Sequence, residues 1–333
     1  MHESYAKINN ACLVTLTILA LTGALIYVRP IMVPFVFSLF IFTALTPLLD
    51  WFQLRLKLNR WLAISLTGLL FASLSLLIFL LISISFGNFL DSANDYKAQV
   101  EIWLMQLLEF LKSKNIPIDI DSIIGKAENL PFFTVAKSVT GSLFGFFGNF
   151  VLISIFVIFF LAGQNLADKN SLAKEVKANV SKYVNIKLLC SLITGISFSV
   201  ILFSFQVDLA LMFGVLAFLL NFIPNIGSIV ATILPLPILL LQFGFGGSFA
   251  AVLILLGAIQ FFVGNVLEPK WMGNSLNLHP ITVLFFLLFW GLIWGIPGMF
   301  LSVPITAFIK IVFSRIKTTQ SLADLLEGKL PQR

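Results

Sequence analysis

Charge is what this chain has least of, and its scarcity is uneven. Between Asp208 and Lys310 the sequence places only two charged side chains, Glu268 and Lys270. Over the whole chain 11% of residues are charged, whereas an ordinary soluble domain carries roughly 25%. A soluble domain is thereby excluded, because so apolar a stretch is at ease only in lipid. Cysteine is also scarce. Cys12 and Cys190 lie far apart inside apolar runs, which supports neither a disulfide framework nor a metal knuckle and leaves them as small packing residues. No His-Glu-x-x-His motif and no phosphate-cradling glycine loop occurs. The sequence therefore points to a non-enzyme with no cofactor, no protein-bound metal and no nucleotide motor. Ser275 and His279 do not make a protease pair, for they share a loop with no third group to orient them.

What the chain has in abundance is apolar surface: 59% hydrophobic residues, 36 of its 333 residues phenylalanine, and a mean hydropathy of +1.02. The net charge of +6 does not indicate nucleic acid, because the basic residues flank apolar runs as the positive-inside rule expects. Residues 11–28 form a first span, long enough to cross and without a convincing cleavage site. Arg29-Pro30 makes a tight turn, and 31–49 form a second span. A short loop with Arg55, Lys57 and Arg60, edged by Trp51 and Trp61, has the pattern of a cytoplasmic loop. Residues 61–86 form a third span. These elements give an N-terminal membrane unit over 1–87.

Residues 88–140 change character. Asp91, Asp95, Glu101, Glu109, Asp119, Asp121 and Glu128 mix with lysines, while Ala93, Tyr96, Val100, Trp103, Leu104, Leu107 and Leu111 recur at helical spacing. Asp91 is placed to cap that helix and Pro117 to end it. The net negative charge assigns this segment to a small extracytoplasmic helical layer. Residues 142–163 form a fourth span, preceded or opened by Gly141, Gly145 and Gly148, a close-packing pattern. In 165–187 the stripe Leu172, Val176, Val180, Tyr183 and Val184 faces away from Lys169, Lys174, Lys177, Lys182 and Lys187. That division predicts a helix lying on the inner membrane surface, grouped here with the fourth span as 141–187. A fifth span, 188–207, follows. Both termini are then expected in the cytoplasm, with an even number of crossings from Leu188 onward and a basic tail at 314–333.

The core of the argument is 188–313, where helices keep breaking. Residues 209–222 reach roughly 21 Å at about 1.5 Å per residue, short of the ~30 Å hydrocarbon core. They end at Asn221-Phe222-Ile223-Pro224-Asn225-Ile226-Gly227-Ser228, and the following run holds Pro235 and Pro237 before Gly244. Residues 209–243 are either a re-entrant hairpin or a pair of short spans. Broken backbone at membrane depth is tolerated where it is buried in protein or lines a water-filled cavity. In 249–267, Gln260, Gly264 and Glu268 are spaced four apart and are expected to share one side of a helix with Asn265 nearby. A polar connection through Gly273, Asn274, Asn277, His279 and Pro280 leads to a short run broken at Gly295-Ile296-Pro297-Gly298, and the last span contains Pro304.

This C-terminal half resembles the autoinducer-2 exporter family of permeases. The matching elements, in order, are Pro224-Asn225-Ile226-Gly227 with Pro235, Asn265-Val266-Leu267-Glu268-Pro269 with Gly273, Leu278-His279-Pro280, Gly295-Ile296-Pro297-Gly298 and Ser302-Val303-Pro304. Family members often follow the first motif's glycine with proline, and this chain has Ser228 there, which softens the break. The resemblance implies an all-α polytopic protein of the bacterial inner membrane with about eight membrane segments, some re-entrant, within the usual span lengths. It also implies a homo-oligomer such as a pentamer. Relatives of this kind are assigned either to export of small signalling molecules or to exchange of sodium or lithium for protons.

The residues support several readings side by side. Glu268 is a titratable carboxylate able to bind a cation or proton, or else a partner for Lys270 or a local backbone cap. Asp208 reads as an interfacial loop carboxylate. Asn221, Asn225, Gln260 and Asn265 offer amides to a hydroxylated solute or a cation, or else hydrogen bond between helices. His279 is a titrating group or a loop cap. Pro224, Gly227, Pro235, Pro269, Gly273, Pro280, Gly295, Gly298 and Pro304 are expected to break or hinge helices. The expected partners are a small molecule or monovalent cation and membrane lipid. The rival outside transport is a membrane scaffold or sensor built on 88–140 and the basic helix.

Overall fold

The computed structural model describes residues 2–91, 102, 149–163, 171–273 and 278–329. Most of the segment expected outside the membrane, the Gly141–Gly145–Gly148 pattern and Asn274–Asn277 lie outside these. All regular elements among the described residues are helical. In chain order they are α1 (His2–Tyr27), α2 (Arg29–Leu54), α3 (Arg60–Asp91), α4 (Phe150–Gly163), α5 (Ser171–Ser204), α6 (Ala210–Leu220), α7 (Ile226–Ile233), α8 (Leu236–Phe243), α9 (Gly247–Phe262), a π-helical turn (Val263–Leu267), α10 (Glu268–Met272), α11 (Pro280–Trp294), α12 (Ile296–Arg315) and α13 (Gln320–Leu326).

Among the described residues, six helical stretches are long and apolar enough to cross a membrane: 29–54, 60–84, 180–204, 226–243, 247–272 and 296–315. Four shorter apolar helices accompany them, at 12–27, 150–163, 210–220 and 280–294. The chain is thus an all-α, multi-pass membrane protein. Their length follows from composition. Apolar side chains need no particular partner in lipid, while the backbone must satisfy its own hydrogen bonds there, so a helix continues until glycine, proline or an amide interrupts it.

Two expected boundaries move. The amphipathic segment and the fifth span are one helix, α5, with no break at 187–188. No glycine or proline stands between Ser171 and Thr194 to interrupt it. At roughly 50 Å it outruns the ~30 Å core, so its lysine-rich start and its apolar end occupy different surroundings without a bend. The other shift is at the end of α3, which continues to Asp91. That residue therefore lies within α3, whereas the sequence placed it at the start of the following helix.

The described helices pack around two apolar cores. The first joins Phe37, Phe40 and Leu49 of α2, Ile153, Val157 and Leu161 of α4, Tyr183 and Val184 of α5, and Trp290, Trp294 and Leu301 of α11 and α12. The second joins Phe198 and Leu202 of α5, Phe213 and Ala217 of α6, Ile238 and Leu239 of α8, and Val252 and Leu256 of α9. Glycine sets the approach of α5 and α6. A Cβ at Gly195 would lie 2.8 Å from the Gly214 carbonyl oxygen, and one at Gly214 would lie 1.8 Å from Ser199 Oγ. Helices in lipid gain from such contact because dispersion between close backbones replaces a missing hydrophobic drive.

The break between α6 and α7 is packed in. Asn221, Phe222 and Ile223 are buried. The Phe222 ring stacks on Phe300 at 4.4 Å between centroids, with Phe40 edge-on to both. Asn225 turns the chain with φ +59° and ψ −54°, a γ-turn in which the Ile226 N–H donates to the Pro224 carbonyl at 2.6 Å. Gly227 then passes so close to the end of α6 that a Cβ would sit 1.8 Å from the Leu220 carbonyl oxygen. Pro304 behaves differently from expectation. It lies inside α12, which continues through it. Ser302 and Thr306, on either side of it, donate to the Met299 and Ser302 carbonyls, whereas the carbonyl that the missing N–H of Pro304 leaves unmatched in the helical ladder is that of Phe300.

Candidate transport site

Glu268 is held by a residue far away in sequence. Lys187 Nζ donates to Glu268 Oε1 at 2.6 Å, linking α5 to the first residue of α10. The lysine side chain is 4% exposed and the carboxylate 20%, so the cation is sealed in while the anion keeps one open edge. Lys270, the partner weighed from sequence, is exposed on the other side of its short helix. Lys187 in turn does not share the exposure of Lys182 on the same helix. It lies on the buried stripe with Tyr183, Val184, Cys190, Ser191 and Thr194. Two opposite charges away from water attract more strongly than at a surface, and removing either one strands the other at about 3–5 kcal/mol.

The π turn decides where Glu268 points. The backbone N–H of Glu268 donates to the Val263 carbonyl, five residues back. One extra residue in the turn rotates everything after it, so the spacing of four between Gln260, Gly264 and Glu268 does not align them as in an unbroken α-helix. Val263 takes the buried position, Gly264 is half-buried, and Asn265 faces outward and donates to the Phe261 carbonyl of its own helix. Pro269, whose ring and missing N–H would disturb an α-helical interior, follows directly in the first turn of α10.

Deeper in, a polar layer crosses the helices. Asn221 is 2% exposed and its Nδ2 donates to Ser191 Oγ at 3.1 Å. Thr194, also buried, donates to the Cys190 carbonyl. Gln260 is 7% exposed, and neither its Oε1 nor its Nε2 meets a hydrogen-bonding partner among the described residues. A primary amide carries two donors and an acceptor, and leaving them unmet in a buried site costs about 1–3 kcal/mol. The level of Gln260 follows from packing. Phe198 and Leu202 of α5 share a core with Val252 and Leu256 of α9, and Lys187 meets Glu268. The two helices therefore run antiparallel, and Gln260, one turn past Leu256, stands level with Ser191–Gly195.

The remaining sequence-derived residues divide by role. Asn225 is exposed at the turn before α7, and Pro224 is half-buried beside it. His279 caps α11: its Nδ1 accepts from the Ile281 N–H at 3.3 Å, and its own N–H donates to the Leu326 carbonyl. Its ring lies against Gly328, so it belongs to the C-terminal docking region. Pro235 and Pro280 open helices. Gly273 and Gly295 close helices at positive φ, +50° and +70°. Gly298 allows α12 to approach α11, where a Cβ would sit 2.0 Å from the Trp290 carbonyl. Asp208 donates its backbone N–H to Gln242 Oε1 at 3.1 Å. Cys190 is buried in the α5 stripe, and Cys12 is on an exposed face of α1.

Lys187, Ser191 and Thr194 were not singled out from sequence. A signal was present, for 183, 184, 187, 190, 191, 194 and 198 follow helical three-and-four spacing. A lysine on that stripe is out of place on a face otherwise fit for a helix interface.

A second ionic group fastens the tail. Lys310, near the end of α12, pairs with Glu327, and Lys329 Nζ lies 2.6 Å from the other carboxylate oxygen. The hydrogen bond from Lys310, followed by that from Lys329, holds the Glu327 carboxyl below its ordinary pKa, and Glu327 raises that of Lys329.

Broken, protein-buried backbone and an ion pair inside a bundle of membrane helices define a multi-pass membrane transport protein. Comparison with known proteins agrees. The model of the AI-2E family transporter matches residues 15–318, and the chain belongs to this family. It is 34% identical to a Haemophilus influenzae protein named "Putative transport protein" over 89% of this chain and 90% of that one. It is 30% identical to the AI-2 transport protein TqsA of Escherichia coli K12, over 90% of each chain.

Proposed function

We propose that this protein is a secondary transporter of the inner membrane that exports a small solute of the autoinducer type, with both termini in the cytoplasm. The observation that carries the reading is the Lys187–Glu268 pair, placed where α5 meets the π turn. A carboxylate within a membrane helix is expensive and is retained where it meets a solute, an ion or a counter-charge. The polar layer of Asn221, Ser191, Thr194 and Gln260 supplies amide and hydroxyl groups suited to a hydroxylated molecule. The name of the AI-2 transport protein TqsA supports a signalling solute of that kind, and the proposal extends to a homo-oligomeric assembly in lipid.

The test is transport by the purified protein in sealed liposomes. Glu268→Gln is expected to abolish solute movement per inserted protein, with flux normalised to the amount incorporated because the variant strands Lys187; retained flux sinks the assignment. The ion pair also favours a second reading, exchange of sodium or lithium for protons. With a trapped pH dye, cation-driven proton movement that depends on Glu268 selects that reading, and its absence in vesicles that carry solute selects export.

A further inference from the structure

Lys187 occupies the position that a mobile cation would take at Glu268. Its ammonium is a single positive charge 2.6 Å from a carboxylate oxygen, and it arrives from a different helix through a sealed interface. The carboxylate is the half of the pair with an open edge. A cation approaching from that edge therefore meets Glu268 first and must compete with an ammonium tethered by its own side chain. We propose that Lys187 is a built-in competitor for a monovalent cation site at Glu268, so that cation binding and release of Lys187 are one event. This rests on the reading of Glu268 as the transport site and adds its coupling ligand and the means of coupling.

Three further observations fit a site whose occupant changes. The π turn ends at Glu268, so the carboxylate sits where the helix departs from regular hydrogen bonding, a feature frequent at functional sites. Gln260, buried and without a hydrogen-bonding partner among the described residues, is the next polar station inward, at the level of Asn221 and Ser191. A released Lys187 is left without its counter-charge in an apolar interface, which favours separation of α5 from α10. Binding of a small ion is thereby converted into helix movement. The other ionisable groups near Glu268 are Tyr183 and Cys190 on α5, which stand in the field of the carboxylate, and Lys270 on α10, which faces outward. Lys187 is the group among these in direct contact with it.

The shared chemistry is one positive charge, and a proton or an alkali ion can supply it. The experiment uses the full-length protein, purified in detergent, and follows the thermal midpoint against sodium and lithium, with choline keeping ionic strength constant. A separate arm varies pH at fixed salt. Bound ligand raises the midpoint by mass action. Removing the tethered competitor in Lys187→Met is expected to lower the half-saturating cation concentration by roughly tenfold, within the usual range of coupled sites. The double variant K187M/E268Q, which strands no charge, is expected to fold and to lose the response. A tenfold shift under sodium or lithium identifies an alkali ion. A response confined to the pH arm, altered by Lys187→Met and absent in the double variant, identifies the proton.

An unchanged half-saturating concentration in Lys187→Met overturns the proposal, as does a cation response surviving in the double variant. Either result together with Glu268-dependent solute flux leaves the transporter reading standing and removes only the tethered competitor. Flux that persists in Glu268→Gln removes the underlying site as well.

Discussion

α3 and α12 are both single apolar helices, yet they meet their surroundings in opposite ways. In the most apolar stretch of α3, 11% of residues are buried by the described chain; in that of α12 the figure is 44%. Exposed leucines line α3, among them Leu62, Leu69, Leu74, Leu76 and Leu77. Its glycine at 68 meets no other atom where a Cβ would stand. On α12, Gly298, Leu301, Ser302, Val303, Pro304, Thr306, Ala307 and Lys310 are buried, and the helix holds Phe222 of the broken segment through Phe300. Hydrophobicity alone builds the first kind of helix, because lipid accepts any apolar shape. The second kind is specified by shape and by hydrogen bonding, because its neighbours are protein. Charge and broken backbone collect in the second environment, where partners are available.

The contrast can be broken most sharply at Gly227. Gly227→Ala drives a methyl group into the Leu220 carbonyl, and the backbone of the break must move. A loss of more than about 3 kcal/mol is expected, beyond ordinary overpacking, with a large fall in thermal midpoint and in folded protein recovered. A midpoint near that of the parent would show that the break does not depend on this close approach.

A smaller effect is expected where the tail is fastened. Glu327→Gln removes the charged acceptor shared by Lys310 and Lys329 and should cost about 2 kcal/mol at pH 7, a typical value for a hydrogen bond to a charged group. Its pH dependence has a definite sign. The folded pKa of Glu327 is depressed, so its contribution is present above the unfolded value of about 4.3 and is lost as pH falls through the folded value. Parent and variant should therefore differ at neutral pH and converge in acid. Lys329 is shifted upward, so its share is present below its unfolded pKa and fades as pH rises through the folded one. Unfolding midpoints across pH check both signs.

The smallest change is expected at Gly68 of α3. Gly68→Ala adds a methyl to open space and removes a flexible residue from a helix interior, so stability should rise by about 0.5–1 kcal/mol. A loss there comparable with that at Gly227 would show that α3 is packed against protein at this level, and the comparison between the two kinds of helix would fail.

Much of the architecture was legible in the residues themselves. The short helix before Asn221, the break through Gly227, the stop at Gly244 and the turn at Gly295 follow from where proline, glycine and asparagine interrupt apolar runs. Pro304 was less legible, because α12 continues through it. Glu268 stood out because a carboxylate in so apolar a region is conspicuous. Its phase on the helix did not, since the π turn inserts a residue that periodicity alone cannot reveal.

Sequence by itself determined that this is a polytopic helical membrane protein, where the helices of its C-terminal half are interrupted, and that this half belongs with a transporter family. Those properties depend on local composition and on the demand that backbone in lipid satisfy its own hydrogen bonds. Only the tertiary structure decided that Glu268 meets Lys187, separated from it by 81 positions, and that Asn221 reaches Ser191 while Gln260 meets no partner among the described residues. Such pairings depend on which helices become neighbours and on their rotation, and an apolar surface that packs equally well against lipid carries little record of either.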